Sequence, residues 1–168
     1  KAVRYDDADR ETELQVGSVI LSAGSQGYDP SQLDYLGYGR FPNVVTSVEF
    51  ERILSASGPY KGRVQRPSDG EMPARIAFIN CVGSRDPEIG HDYCSAACCA
   101  YAARLAGVLK QRAPDSNITI YLIDLQNFDK AFSPLRQDLV DAGVVLSRGV
   151  PSAIDRTAAG RLRLRLEG

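Results

Sequence analysis

The chain has 168 residues, a formal net charge of −1 and an apolar fraction of 43%, a composition that supports one soluble-type domain with its own core. Near-neutral charge without a basic stripe excludes the electrostatic footprint of nucleic-acid binding. No apolar run reaches the roughly 18–20 residues needed to span a bilayer, and no signal-peptide pattern follows Lys1. Neither a nucleic-acid partner nor a direct membrane span is expected, and the chain reads as a segment excised from a longer protein.

In chain order, residues 2–5 and 13–16 alternate apolar and polar side chains on either side of the polar loop 6–10, which predicts a β-hairpin. A third strand, residues 18–22, runs into Ala23-Gly24-Ser25, small residues that let another group approach the backbone. Residues 28–43 read as loop. Ser47-Val48-Glu49-Phe50-Glu51-Arg52-Ile53-Leu54 predicts a short helix with Ser47 as its N-cap. Residues 57–73, with three prolines and three glycines, read as connector.

All four cysteines, Cys81, Cys94, Cys98 and Cys99, lie in the next unit, residues 75–124. Residues 76–79 form a continuous apolar run, as in a strand covered on both faces. From Ser95 onward Ala102, Leu105, Ala106 and Leu109 recur at helical spacing, Lys110 and Arg112 stand in the last turn, and Pro114 lies beyond. Residues 118–123 are β-rich. Strand, helix and strand predict a right-handed βαβ unit whose functional loop follows the first strand. Residues 134–142 and 144–146 predict another helix and a short strand. The tail alternates strictly over 161–166, and its sheet partner is expected outside the chain or in the amino-terminal hairpin.

A dinucleotide would ordinarily occupy the loop after the first βαβ strand, but Gly83 and Gly90 stand too far apart for a pyrophosphate-binding fingerprint. Asp124 reads as a strand-end turn residue. The cysteines occupy the nucleotide's place. With Cys94 and Cys98 taken as one helical turn apart, their Cβ atoms would be about 5–6 Å from each other, beyond the roughly 3.8 Å of a disulfide. A single tetrahedral zinc needs all four sulfurs at about 2.3 Å, which adjacent helical residues projecting about 100° apart serve poorly. An iron-sulfur cluster places each thiolate on a different iron and suits divergent directions. A structural zinc module that docks subunits, a thiol-disulfide oxidoreductase and buried packing cysteines are the alternatives. His91 reads as a surface loop residue, Arg85 and Asp86 as a pair that orders the loop or as solvated charges, and Tyr93 and Tyr101 as packing around the site.

Phe78-Ile79-Asn80-Cys81-Val82-Gly83-Ser84-Arg85-Asp86, followed by Tyr93-Cys94-Ser95-Ala96-Ala97-Cys98-Cys99-Ala100-Tyr101-Ala102, resembles the A subunit of heterodisulfide reductase. It also resembles the related flavoprotein subunits of quinone-interacting membrane-bound oxidoreductase complexes. Further matches are Tyr38-Gly39-Arg40-Phe41-Pro42-Asn43-Val44, Glu49-Phe50-Glu51-Arg52, Leu54-Ser55-Ala56-Ser57-Gly58-Pro59 and Arg66-Pro67-Ser68-Asp69-Gly70, so the resemblance covers about 16–154. It implies an α/β fold with a Rossmann-like βαβ core, a degenerate nicotinamide-type domain of a disulfide-oxidoreductase-like flavoprotein, and a flanking β-hairpin.

The resemblance further implies that Cys81, Cys94, Cys98 and Cys99 hold a [4Fe-4S] cluster that relays electrons, and that Ala23 and Gly24 lie at the flavin-proximal turn, where alanine offers only backbone contact. FAD would belong to the full-length protein and not to this segment, which would be inactive alone. Implied partners are the other subunits of a heterodisulfide-reductase-like or quinone-interacting complex, in the cytoplasm or peripheral to a membrane through those subunits. The expected organisation is 1–30 from the edge of a flavin domain, 31–73 connector, 74–150 the βαβ domain with the four cysteines, and 151–168 terminal strands with a missing partner.

Overall fold

A computed structural model describes residues 5–127 and 130–166. Its centre is a parallel three-stranded sheet in the order β1-β2-β3, with β1 Arg75–Ile79, β2 Asn117–Leu122 and β3 Val145–Arg148. Register runs from Arg75 opposite Asn117 to Ile79 opposite Tyr121, and from Thr119 opposite Val145 to Leu122 opposite Arg148. The crossovers are α2, Cys98–Arg112, and α3, Phe132–Asp141. This is the predicted α/β, Rossmann-like core.

Period-two alternation decides which face is covered. Ile118, Ile120 and Leu122 are buried with Leu105, Ala106 and Leu109 of α2 and Phe132 and Leu139 of α3, so both helices lie on one face. Each fully buried aliphatic side chain there contributes about 1.5–3 kcal/mol. Ala102, Ala103 and Ala106 let α2 settle close to the strands, and Ala106 and Leu109 have no exposed surface. The opposite face is open, with Val145 and Ala77 exposed. The expectation that β1 is covered on both faces is therefore corrected: it is an edge strand whose Ile76 and Phe78 alone reach the core.

Helix α1, Ser47–Leu54, forms as predicted, but its N-cap is Thr46, one residue earlier than expected. Thr46 accepts from the Glu49 amide while Glu49 reaches back to Thr46, a capping box that Ser47 has no geometry to make. The connector does more than link elements. Leu54 and Val64 are buried in the βαβ core, and Arg112 donates to the Leu54 and Gly62 carbonyls, tying the end of α2 to it.

Three expectations about the ends are corrected. Ala2-Val3-Arg4 lies outside the described residues, but residues 13–16 and 18–22 form no strand, and Val19, Ile20 and Leu21 are exposed. Their alternation is real; no described strand offers them ladder bonds. The flanking hairpin stands at the other end: β4, Pro151–Arg156, pairs antiparallel with β5, Leu162–Leu166. The tail strand thus finds its partner in the preceding strand, through the tight turn in which Thr157 donates its amide to the Arg161 carbonyl. The hairpin rests on the short turn Asp34–Leu36, where Leu36 and Ile154 are buried and Arg40 donates to the Ile154 carbonyl.

Candidate metal centre

Strand β1 stops where Asn80 donates its amide to the Tyr121 carbonyl, and the chain then turns sharply because Cys81 adopts φ 62°. Left-handed backbone is uncommon for residues with a Cβ, and among the described residues three of the four that adopt it, Cys81, Arg85 and Ala96, lie in this loop. Such conformations persist only where surrounding contacts hold them, and they gather at functional sites.

Those contacts are visible. Ser84, buried, accepts the Ser95 amide at 3.1 Å and donates to the Tyr93 carbonyl at 2.9 Å, while its own amide donates to the Cys81 carbonyl. One hydroxyl thereby joins the Cys81 turn to both neighbours of Cys94. Asp86 and His91 exchange backbone bonds and close the loop. His91 Nδ1 stands 3.0 Å from the Gly83 carbonyl, and its ring lies edge-on to Tyr28 and tilted against Tyr93. The imidazole is thus part of the loop's scaffold and half-buried, not free on the surface. Gly83, at φ 66°, packs so tightly on Tyr28 that a Cβ there would sit 2.1 Å from the ring.

Arg85 pairs with Asp124, beyond β2, and not with its neighbour Asp86. Asp124 also accepts from Gln126 Nε2 at 3.1 Å. The strand-end aspartate read as a turn residue is the anchor for the cysteine loop. Tyr93 is 61% exposed, so it does not pack over the site, whereas Tyr101 donates to Glu51 of α1. Burial, and then that bond to a carboxylate, raise the Tyr101 phenol to about 12.

Helix α2 begins at Cys98, not Ser95, so Cys94 belongs to the loop and the expected one-turn spacing between Cys94 and Cys98 does not hold. The left-handed Ala96 between them breaks the helix, and its amide donates to Cys94 Sγ at 3.3 Å. No side chain caps α2. Its first-turn amides and positive dipole end are therefore presented at Cys98 and Cys99, where negative charge is favoured.

All four cysteines are free thiols. The neighbouring Cys98, and then burial, raise the Cys81 thiol, while the influence of Cys81 lowers Cys98 to about 5. Burial raises Cys99, and the charges of Cys98 and Cys94 add to it. Backbone groups of Ile123 for Cys81, of Cys81 for Cys98 and of Gln126 for Cys99 pull each thiol downward. Cys99 Sγ itself faces the Asp124 carbonyl at 3.9 Å.

Among the described residues, no three or more His, Cys, Asp or Glu side chains stand arranged to hold a metal ion. The chemistry of the donor set fits a polynuclear iron-sulfur group: four soft sulfur donors, an uncapped helix start and the Ala96 amide on Cys94 Sγ, surroundings that stabilise thiolate. A cluster takes each thiolate on a separate iron and does not require the four sulfurs to share one ion. Ala23 and Gly24 are not built into a contact. Both are exposed, and nothing lies within 4 Å of where a Gly24 Cβ would stand. Ser84 is the site residue without a sequence signal of its own beyond its place between Gly83 and Arg85, and Asp124, read as a turn residue, is the partner of Arg85.

No family model matches the chain. Curated relatives do. It is 44% identical over 154 residues to the A subunit of the H2:CoB-CoM heterodisulfide,ferredoxin reductase of Methanothermobacter thermautotrophicus, a match covering 91% of this chain and 23% of the relative. It is 39% identical to the iron-sulfur A subunit of the CoB–CoM heterodisulfide reductase of Methanocaldococcus jannaschii, covering 91% of this chain and 23% of that relative. To the A subunit of the ferredoxin:CoB-CoM heterodisulfide reductase of Methanosarcina mazei it is 36% identical, covering 99% of this chain and 21% of the relative. The chain thus spans less than a quarter of the length of each of these three relatives. Over 91–99% of its own length the chain is thus similar to one segment of the A subunit of heterodisulfide reductases, which matches the resemblance carried by residues 78–102.

Proposed function

We propose that this segment is the electron-relay part of a larger oxidoreductase polypeptide and that Cys81, Cys94, Cys98 and Cys99 bind a [4Fe-4S] cluster. The observation that carries the reading is that four free cysteines lie in one strained loop and the uncapped helix start that follows it, with the Ala96 amide donating to Cys94 Sγ. The iron-sulfur naming of the Methanocaldococcus jannaschii relative supports it. When bound, a cluster of this kind supplies one-electron transfer at a potential set by burial and by hydrogen bonds to its sulfurs.

This chain's own residues supply the rest. Ser84 holds the Cys81 turn against the Cys94 segment, Arg85 and Asp124 join that loop to the end of β2, and the start of α2 offers the thiolates a positive dipole end. FAD belongs, in this reading, to other parts of the full-length protein, with the 23–24 turn near it through backbone alone. The partners are the other subunits of a heterodisulfide-reductase-like or quinone-interacting complex, and the location is cytoplasmic, at most peripheral to a membrane. The segment by itself is inactive.

The test is anaerobic reconstitution of the chain with iron and sulfide, followed by metal and sulfide analysis and electron paramagnetic resonance after reduction. The expected result is four irons and four sulfides per chain with a reducible signal that Cys98→Ser abolishes or alters. Stoichiometric tight zinc with no uptake of iron would replace this reading with a structural docking module.

A further inference from the structure

Asn80 directly follows β1, in step with Ile76 and Phe78 on the sheet face that meets the helices, and it is 5% exposed. Its Nδ2 group is buried and has no hydrogen-bond partner, which holds for no other buried side-chain nitrogen or oxygen among the described residues. Buried amide donors are almost always paired, and an orphan in a structure calls for a specific explanation. Asn80 borders a void of about 10 Å³ together with Cys99, Ala103, Ile120, Leu122 and Arg136. Walls that are mainly hydrocarbon do not give a water the two to four polar partners it needs.

The acceptor missing from that void is the one Cys99 would become. As a thiol, Cys99 donates toward the Asp124 carbonyl, at 3.9 Å. As a ligating thiolate, almost fully buried, it is an anionic sulfur across the same void from a donor that has no acceptor.

We propose that the Asn80 side-chain amide is a positioning donor for the metal centre, its N–H directed at the anionic sulfur of the Cys99 corner, and that ligation satisfies it. The inference rests on the cluster reading above. An N–H bond to a ligating sulfur favours the more negative, reduced state, so it raises the reduction potential.

The experiment compares the wild-type chain with Asn80→Leu, metal-free and after reconstitution with iron and sulfide, by thermal denaturation and by a redox titration followed through paramagnetic resonance. Asn80→Ser, which shortens the donor away from the void, serves as the second variant should leucine overpack the core. In the metal-free chain the variant melts no lower than wild type, because an orphaned donor has been removed. In the reconstituted chain it melts lower, and the reduction equilibrium weakens about tenfold, a shift of about 59 mV to more negative potential for one electron. An unchanged midpoint in a chain that carries its cluster overturns the inference alone. Metal-free variants that both melt well below wild type overturn it too, since Asn80 would then already have a partner. Failure of the wild-type chain to take up iron overturns the cluster reading and this inference with it.

Discussion

Residues 13–22 and residues 117–122 carry similar signals, β-branched and aliphatic side chains bounded by polar turns, yet they end in opposite situations. The second run is the central strand of the sheet, with Ile118, Ile120 and Leu122 at most 3% exposed. The first forms no strand, and its Ile20 and Leu21 are 89% and 88% exposed. A strand pattern describes a surface that is ready to pair; ladder bonds and burial come from what lies beside it. Between β1 and β3, and beneath α2, the central run has three neighbours, whereas the amino-terminal run has none among the described residues.

The widest expected contrast follows from packing. Leu109→Ala removes a side chain with no exposed surface from beneath the sheet and should cost about 2–5 kcal/mol in urea denaturation. Ile20→Ala should stay within about 0.5 kcal/mol. An equal loss at both positions would mean that the amino-terminal run is packed in solution, and the comparison would break.

Two glycines sharpen it further. Gly83 and Gly24 both have left-handed backbone, at φ 66° and 82°, but a Cβ meets the Tyr28 ring at 2.1 Å at the first and open space at the second. Gly24→Ala carries the left-handed penalty alone, about 1 kcal/mol. Gly83→Ala adds the displacement of Tyr28 from His91 and should cost about 2–3 kcal/mol, with lower iron uptake in the reconstitution assay. Similar melting temperatures for the two variants would show that Tyr28 yields freely and does not brace the cysteine loop.

The smallest effect separates stability from site geometry. Ser84→Ala deletes the hydroxyl between Tyr93 and Ser95 and should cost about 1–2 kcal/mol. The same change should lower iron retention against a chelator several-fold, because Cys94 loses its registration on Cys81. Retention equal to wild type would assign Ser84 to stability alone.

Much of the core was legible beforehand because its signals are local. The i, i+3, i+4 recurrence of Ala102, Leu105, Ala106 and Leu109 needs only one helix to be read, and residues 118–122 need only period-two geometry. The same holds for the parallel arrangement, since a strand-helix-strand order leaves few ways to close. The misreadings share one cause. The helix start at Cys98, the cap at Thr46, the partner of Arg85 and the partner of the tail strand each depended on a contact, or a backbone turn, that no periodicity encodes.

By itself, then, the sequence determined the α/β class, the order of the central elements and the single unit in which four thiols gather, because covalent neighbours and residue spacing decide those matters. The tertiary structure decided how the backbone around the thiols runs. Left-handed turns at Cys81 and Ala96 detach Cys94 from the helix, Asp124 reaches back from β2 to hold Arg85, and Asn80 is left buried with an unspent donor beside Cys99. Each of these is a long-range contact or a strained dihedral held by one, and such terms exist only once the chain has closed on itself.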